Sequence, residues 1–365
     1  MVRPVRVYGG QESGGLRLPV AQASRRNLYG PRGVTIWGDD LIVCDTGNHR
    51  VLFYRDFLTR RQLQADLVLG QPDFDSEHPS NPDARHGLFM PTDAQVVEDW
   101  LIIADSWNHR LVGYRLRDLG RNDCELALVI GQPNPGVVDA NQGNQVCDDR
   151  SLYWPFGFAV LADGFYVADA GNRRVLRWRD WQSATREPAE LVLGQDDPSH
   201  REDNRGRLGG DSFRWPHAID GEGDVIFIAD PGNHRVLGFR EPHVDREADI
   251  VIGQPSCMEN SEWPYAPQGP DRLRFPYGIS VDAHRLAIAD SANNRVLVFD
   301  SLPTGCGEKA QRVLGQPDFE AYGENRWDVL ADNTLCWPYG VDMVDDIIAI
   351  ADTGNNRIVI WTLED

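Results

Sequence analysis

Six aspartates along this chain are each followed, five residues later, by an arginine. A carboxylate and a guanidinium on either side of a Gly-Asn turn can form a charge-assisted hydrogen bond across that turn. Because the pair is present in every copy, we interpret it as structural, since a functional site normally breaks the symmetry of a repeat. The pairs are Asp45/Arg50, Asp105/Arg110, Asp169/Arg174, Asp230/Arg235, Asp290/Arg295 and Asp352/Arg357. One turn position holds His49, His109, Arg173, His234, Asn294 and Asn356 in successive copies, and we interpret its histidines as structural too.

Residues that differ between the copies are stronger candidates for chemistry. The residue after the Pro of each copy should lie near the mouth of a central channel in the ring-shaped fold that the repeats imply. His217 and Asp93 could form a general acid/base pair there, because imidazole titrates near neutrality. Asp220 and Asp342, each four residues after a Pro, could join His217 in binding Ca²⁺ or Zn²⁺. A channel rim without catalytic duty is the alternative. The full set after Pro is Arg32, Thr92, Phe156, His217, Tyr277 and Tyr339.

Aromatic residues that do not recur, in the long polar segments between copies, are candidates for a partner surface. Trp and Tyr dominate the hot spots of protein interfaces. Packing inside the loops is the alternative. The predicted partner-binding residues are Trp263, Tyr265, Tyr322, Trp327, Arg32, Tyr277 and Tyr339. Aromatic residues that do recur before Pro are expected to pack between repeats, and these are Trp154, Trp215, Phe275 and Trp337.

The elements that position these residues follow from the period of the repeat. Successive aspartates are 60, 64, 61, 60 and 62 residues apart, which indicates repeated supersecondary units. The second copy contains four strand-like segments, TDAQVVED, WLIIAD, LVGYRL and LALVIGQ. Four antiparallel strands repeated radially form a propeller. The sequence therefore predicts an all-β, six-bladed β-propeller over residues 1–365, with blades that begin near Pro31, Pro91, Pro155, Pro216, Pro276 and Pro338.

The last blade lacks a fourth strand of its own, because the chain ends at IVIWTLED. The segment VRVYGGQ near the N-terminus resembles the fourth strands of the other copies, which read VLGQ or similar. We therefore expect a strand at about residues 4–11 to complete blade 6. This closure would join the two ends and remove open sheet edges.

The six phrases, from VCDTGNHRVL to IADTGNNRIV, resemble the NHL-repeat family over nearly the whole chain. For six copies, the resemblance implies a six-bladed propeller, and it favours a role in protein interaction. Some family members bind RNA through a basic face. Metal-dependent lyases and lactonases also occur among similar propellers, by analogy of fold alone. The repeats here differ from the short family unit by about 15 to 25 extra residues after each Gly-Gln.

The composition limits the classes of partner that the chain is expected to bind. A net charge of −20, from 36 Lys and Arg against 56 Asp and Glu, disfavours nucleic acid, whose phosphates require neutralisation by Lys and Arg. The N-terminal segment MVRPVRVYGGQESGG has no apolar stretch, so we expect a cytoplasmic protein without a membrane segment. The six cysteines form no CxxC pair and are expected to be free thiols.

These observations predict a non-catalytic module for protein interaction or complex assembly. It would use the face of the propeller that carries the long loops, and it would need no cofactor. The alternative is a metal-dependent lyase or hydrolase with Ca²⁺ or Zn²⁺ in the central channel, carried by His217, Asp93, Asp220 and Asp342.

Overall fold

The computed structural model describes residues 2–9, 22–79, 87–120, 124–242 and 246–364. Over these ranges the chain forms six sheets, each with four antiparallel strands. Valine, isoleucine and leucine fill the second and third strands of each sheet, which are buried almost throughout. The predicted six-bladed, all-β fold is confirmed.

Five blades take their strands consecutively. Blade 1 contains β2 (Gly33–Trp37), β3 (Asp40–Asp45), β4 (Arg50–Tyr54) and β5 (Leu67–Leu69). Blade 2 contains β6 (Pro91–Val97), β7 (Trp100–Asp105), β8 (Arg110–Arg115) and β9 (Leu128–Ile130). Blade 3 contains β10 (Pro155–Leu161), β11 (Gly164–Asp169), β12 (Arg174–Trp178) and β13 (Leu191–Leu193). Blade 4 contains β14 (Ile219–Glu222), β15 (Val225–Asp230), β16 (Arg235–Arg240) and β17 (Ile250–Ile252). Blade 5 contains β18 (Pro276–Asp282), β19 (Arg285–Asp290), β20 (Arg295–Phe299) and β21 (Arg312–Leu314).

Blade 6 combines both ends of the described chain. Its strands are β22 (Pro338–Val344), β23 (Ile347–Asp352), β24 (Arg357–Thr362) and the N-terminal β1 (Arg3–Gly9). Strand β1 pairs antiparallel with β24, with Val7 opposite Val359 and Tyr8 opposite Ile358. The first strands of neighbouring blades contact each other all round the ring, and β22 contacts β2. The first strands therefore line a central channel.

Helical structure in the described ranges is short. The α-helix α1 spans Trp181–Ala184. A 3₁₀ helix lies between the second and third strands of each blade, at Thr46–Asn48, Ser106–Asn108, Ala170–Asn172, Pro231–Asn233, Ser291–Asn293 and Thr353–Asn355. Other 3₁₀ segments are Leu116–Asp118, Ala140–Gly143, Asp203–Gly206 and Glu324–Trp327. None of these helices has the length and apolar character that a membrane span requires.

Each Asp–Arg pair is buried and ties the blade to the insertion that precedes it. In blade 5, Asp290 Oδ2 accepts hydrogen bonds from Arg295 Nε at 2.7 Å and from the Asn293 amide at 2.8 Å. Its Oδ1 accepts the backbone N–H of Arg274 at 2.6 Å. Arg295 Nη2 donates to the carbonyls of Gly269 and Arg272. The pair thus holds the turn and the insertion together, and both side chains are fully buried.

The insertions and the 3₁₀ turns share one face of the ring, which we call the top face. The glutamine after the fourth strand fixes each insertion from its other end, because its side-chain N–H₂ donates to a carbonyl seven residues further on. The acceptors are His78, Asp139, Glu202, Ser261 and Gly323. The cores lie between adjacent blades. None of the six cysteines, all within the described ranges, forms a disulfide.

Candidate functional site at the channel mouth and top face

The residues that follow the six prolines line one central cavity of about 400 Å³. Five of them approach one another at its upper end. Phe156 stacks on His217 with 4.2 Å between ring centroids, and Tyr277 stacks on Tyr339 at 4.1 Å. His217 and Tyr277 are 4.8 Å apart, so the two stacks are continuous. The Arg32 guanidinium lies 4.7 Å from the centre of the Tyr339 ring.

Trp107, from the 3₁₀ turn of blade 2, completes the circle. Its ring lies 5.7 Å from Phe156, edge to face, and 5.6 Å below the Arg32 guanidinium. Thr92, the post-proline residue of this blade, is buried instead, and it bonds to the Phe156 carbonyl. One residue from each blade therefore forms a closed circle. This annulus consists of Arg32, Trp107, Phe156, His217, Tyr277 and Tyr339.

Several polar groups of the annulus lack a hydrogen-bond partner within the described ranges. His217 Nδ1 donates to the Trp215 carbonyl at 2.7 Å, whereas Nε2 is left as a free acceptor. Burial lowers the pKa of His217 to about 3, so the ring is neutral at pH 7. Arg32 makes no side-chain hydrogen bond or ion pair there, and its only side-chain partners are aromatic rings. The hydroxyls of Tyr277 and Tyr339 are also unpartnered within the same ranges, and burial raises the pKa of both.

The proposed acid/base pair is not formed in this conformation. No hydrogen bond or ion pair joins His217 to Asp93 among the described residues. Asp93 Oδ2 accepts the Phe158 backbone N–H at 3.2 Å and the Gln95 amide at 3.1 Å. Burial raises the pKa of Asp93 to about 6 despite these hydrogen bonds. The Asp93 carboxyl therefore joins blade 2 to blade 3.

Asp220 and Asp342 make the same kind of connection between other blades. Asp220 accepts the Val281 N–H at 2.7 Å, and Asp342 accepts the Ile36 N–H at 2.6 Å. Burial raises the pKa of Asp220 to about 7, and it also raises that of Asp342. The three channel carboxyls additionally repel one another. Within the described ranges, no three His, Cys, Asp or Glu side chains are grouped as ligands for a metal ion.

The variable turn position forms a latch between neighbouring blades. His109 Nδ1 accepts the backbone N–H of Trp154 at 3.2 Å, and Asn294 Oδ1 accepts that of Trp337 at 2.8 Å. Each donor residue precedes the Pro of the next blade and has a positive φ. His49, His234 and Asn356 latch Met90, Phe275 and Gly30 in the same way. The histidines thus have a structural role as neutral acceptors.

This latch is missing between blades 3 and 4. Arg173 occupies the turn position, and a guanidinium has no acceptor to offer. Arg173 bonds instead to Asp203 at 2.5 Å, and Trp215 does not take the positive φ of its counterparts. The first strand of blade 4 begins only at Ile219. A recess of about 280 Å³ opens at this position, lined by Trp107, Tyr153, Trp154, Phe156, Arg173, Trp215, His217, Tyr277 and Tyr339.

The expectation that the recurring aromatic residues pack between blades is wrong for three of them. Trp154, Trp215 and Trp337 are 36%, 38% and 41% exposed, whereas Phe275 is not among the exposed aromatic residues. Sequence reasoning also missed Trp107. The available signal was that Trp replaces the Gly or Ala of the turn in the second copy alone.

A second group of aromatic side chains lies on the top face, away from the annulus in sequence. Trp263 lies 5.5 Å from Tyr322, and Tyr322 lies 6.2 Å from Trp327, edge to face. Trp327 is 74% exposed, and Tyr265, two residues after Trp263, is 89% exposed. The insertions before blades 5 and 6 thus converge. We call Trp263, Tyr265, Tyr322 and Trp327 the aromatic cluster.

Comparison with known proteins agrees with this architecture. The profile of the NHL repeat matches residues 28–53, which confirms the resemblance seen in the sequence. No curated protein matches the chain. A streptogramin B lyase structure is similar at 11% identity and a TM-score of 0.50, covering 95% of this chain and 96% of the other. A Bacteroides thetaiotaomicron protein of unknown function is similar at 12% identity and a TM-score of 0.51, covering 99% and 75%. At such identities the likeness shows the fold alone. The chain is therefore a six-bladed β-propeller that carries an NHL repeat at residues 28–53.

Proposed function

We propose that this chain is a protein-binding module whose top face docks a partner on the aromatic cluster. The observation that carries the proposal is the convergence of Trp263, Tyr322 and Trp327 from two separate insertions. Large aromatic side chains that remain exposed as a group are typical of interface hot spots. The Trp327 ring packs over Gly323, where a Cβ would lie 2.4 Å from it, and it also contacts the Tyr322 ring.

The charge of the two insertions indicates the chemistry of the partner. Residues 254–275 and 316–337 contain eight Asp and Glu against three Arg. One of these arginines, Arg274, is already paired with Glu262 at 2.6 Å. Since the rim is acidic and the centre aromatic, the matching surface is basic at its edge and apolar at its centre.

Replacement of Trp263 and Trp327 by Ala together tests the proposal. The tagged protein would be used to recover partners from cells that make it, with quantitative mass spectrometry as the readout. We expect the recovered amount of a defined set of proteins with basic surfaces to be at least ten-fold lower with the double variant. Their recovery with the wild type should also decrease as the salt concentration is raised. Each would then be titrated as a purified protein.

The matched control is Trp37→Ala. Trp37 is as exposed as Trp263, but it lies at the far end of β2, on the opposite face. This variant should recover the same proteins as the wild type. If the double variant also retains every one of them, the aromatic cluster is not the docking surface.

The metal-dependent lyase or hydrolase is a second candidate. What supports it is the presence of Asp93 and Asp220 in one cavity with pKa values near neutrality. Metal analysis of the purified protein, with the melting temperature before and after chelation, tests it. This candidate would be favoured if the protein contains stoichiometric Ca²⁺ or Zn²⁺ and if chelation removes the metal and lowers the melting temperature. Chelation should not change the melting temperature of Asp220→Asn.

A further inference from the structure

The annulus has the features of a small-molecule site that is separate from the aromatic cluster. Its rings lie between two cavities. Phe156, His217, Tyr277 and Tyr339 border both the 400 Å³ channel and the 280 Å³ recess on the top face. A molecule that enters the recess therefore meets the annulus directly.

The recess lies at the junction where the symmetry of the ring is broken. In the other junctions a side-chain acceptor fixes the residue before Pro, whereas Arg173 leaves Trp215 without that latch. Trp107, Trp154 and Trp215 then present ring surfaces around the opening. Flat π surfaces on several sides favour a planar aromatic group as occupant.

The unpartnered groups indicate what the planar molecule carries. The Arg32 guanidinium is held between Tyr339 and Trp107 with no hydrogen-bond acceptor from the described residues. A guanidinium with free N–H donors in a fixed orientation is suited to a carboxylate. His217, 7% exposed, directs a free imidazole acceptor in the same region, which can take an N–H or O–H of the ligand.

The charges nearby favour a monoanion. Asp93, Asp220 and Asp342 line the same channel as Arg32. A phosphate dianion would be repelled by these carboxyls more strongly than a single carboxylate is. The one cation of the annulus matches one negative charge.

We infer that the annulus binds a planar aromatic molecule with a single carboxylate, the ring stacked on the aromatic side chains and the carboxylate paired with Arg32. The probes are indole-3-acetate and its neutral analogue indole-3-acetamide, measured by calorimetry and by saturation-transfer NMR. We expect the acetate to bind at least ten-fold more tightly than the acetamide.

Three variants locate the binding. Arg32→Met retains the stem of the side chain over the rings but removes the charge, and should abolish the preference for the acetate. Arg32→Lys should retain part of that preference. Trp107→Leu should weaken the binding of both probes by a similar factor. Melting temperatures of all three, compared with the wild type, confirm that each is folded.

The double variant Trp263→Ala/Trp327→Ala separates this inference from the proposed function, because it should bind indole-3-acetate as the wild type does. The inference is overturned if the wild type binds neither probe at millimolar concentration or binds both equally. It is also overturned if Arg32→Met keeps the preference of the wild type.

Discussion

The Asp and Arg residues that recur in every blade form buried ion pairs. The free energy that a buried ion pair contributes differs from that of a pair on the surface. Asp290 and Arg295 are both inaccessible to solvent. Burial raises the pKa of the equivalent Asp45, while Arg50 opposes that rise. Such a pair contributes little compared with an apolar pair of the same shape, but removal of one partner leaves a buried charge without compensation. The role of the pair is therefore to fix the conformation of the turn and the position of the insertion.

Asp290→Asn should lower the free energy of unfolding by about 3–5 kcal/mol, because Arg295 then remains buried without its counterion. Chemical denaturation measures the effect. Glu187→Gln is the matched control, since Glu187 pairs with Arg179 where both side chains are about half exposed. It should unfold as the wild type does. Equal stability of the two variants would contradict a structural role for the pair.

The latch histidines predict a dependence of stability on pH. Burial lowers the pKa of His109 in the folded protein to about 4, from 6.5 in the unfolded chain. The stability that the neutral imidazole contributes is therefore fully present above pH 6.5 and is lost as the pH falls from 6.5 toward 4. Asparagine occupies this position in blades 5 and 6, so His109→Asn keeps the acceptor without the titration.

We expect the melting temperature of His109→Asn to fall less than that of the wild type between pH 7.5 and 4.5. The difference should be roughly 2–4 °C. His284→Asn is the control, because the structure gives that histidine no latch contact. If the melting temperature of His109→Asn changes with pH as that of the wild type does, His109 Nδ1 is not the acceptor of the Trp154 N–H.

The N-terminal strand joins blade 6 to blade 1. Tyr8 on β1 is buried, its ring lies 4.8 Å from Tyr54 on β4, and its hydroxyl donates to the Phe57 carbonyl. The strand therefore contributes a side chain to the core of the next blade as well as backbone hydrogen bonds to β24.

Tyr8→Ala should lower the free energy of unfolding by about 3–5 kcal/mol, as expected for truncation of a buried aromatic ring. It should also increase amide exchange in β24, measured by mass spectrometry. Val5→Ala on the same strand is the control, because Val5 is 43% exposed and its truncation should have a much smaller effect. If the Tyr8 variant is as stable as the control, β1 is not a structural part of the ring.

The sequence predicted the elements well because each blade repeats the same local signals. A Pro, an apolar strand that ends in Asp, and a Gly-Asn turn recur with constant spacing, so the strand pairing follows. The annulus was only partly predictable. The post-proline position indicated five of its residues. The sixth, Trp107, comes from a turn: its ring packs against Phe156 and takes the place in the annulus that Thr92 would have had. The loss of the latch at Arg173 also depends on a contact between blades, which no local pattern reveals.

Around the ring, the repeated residues make structural contacts, and we propose that the unrepeated residues form the binding surfaces. The Asp–Arg pairs hold each turn to the insertion before it, and the latches join neighbouring blades at five of the six junctions. The annulus and the aromatic cluster break that symmetry, and both lie on the side of the insertions. The net charge of −20 is the reason that we expect basic partners rather than nucleic acid. A rigid ring with variable loops is a common basis for binding sites.

The most direct test of this division compares Trp263→Ala/Trp327→Ala with Asp290→Asn, with melting temperature and partner recovery measured on both. We predict that the double variant melts as the wild type does and loses its partners. Asp290→Asn should melt at a lower temperature and recover the same partners at a temperature where it is folded. A double variant that melts early and keeps its partners would contradict the account, because the aromatic cluster would then be part of the fold.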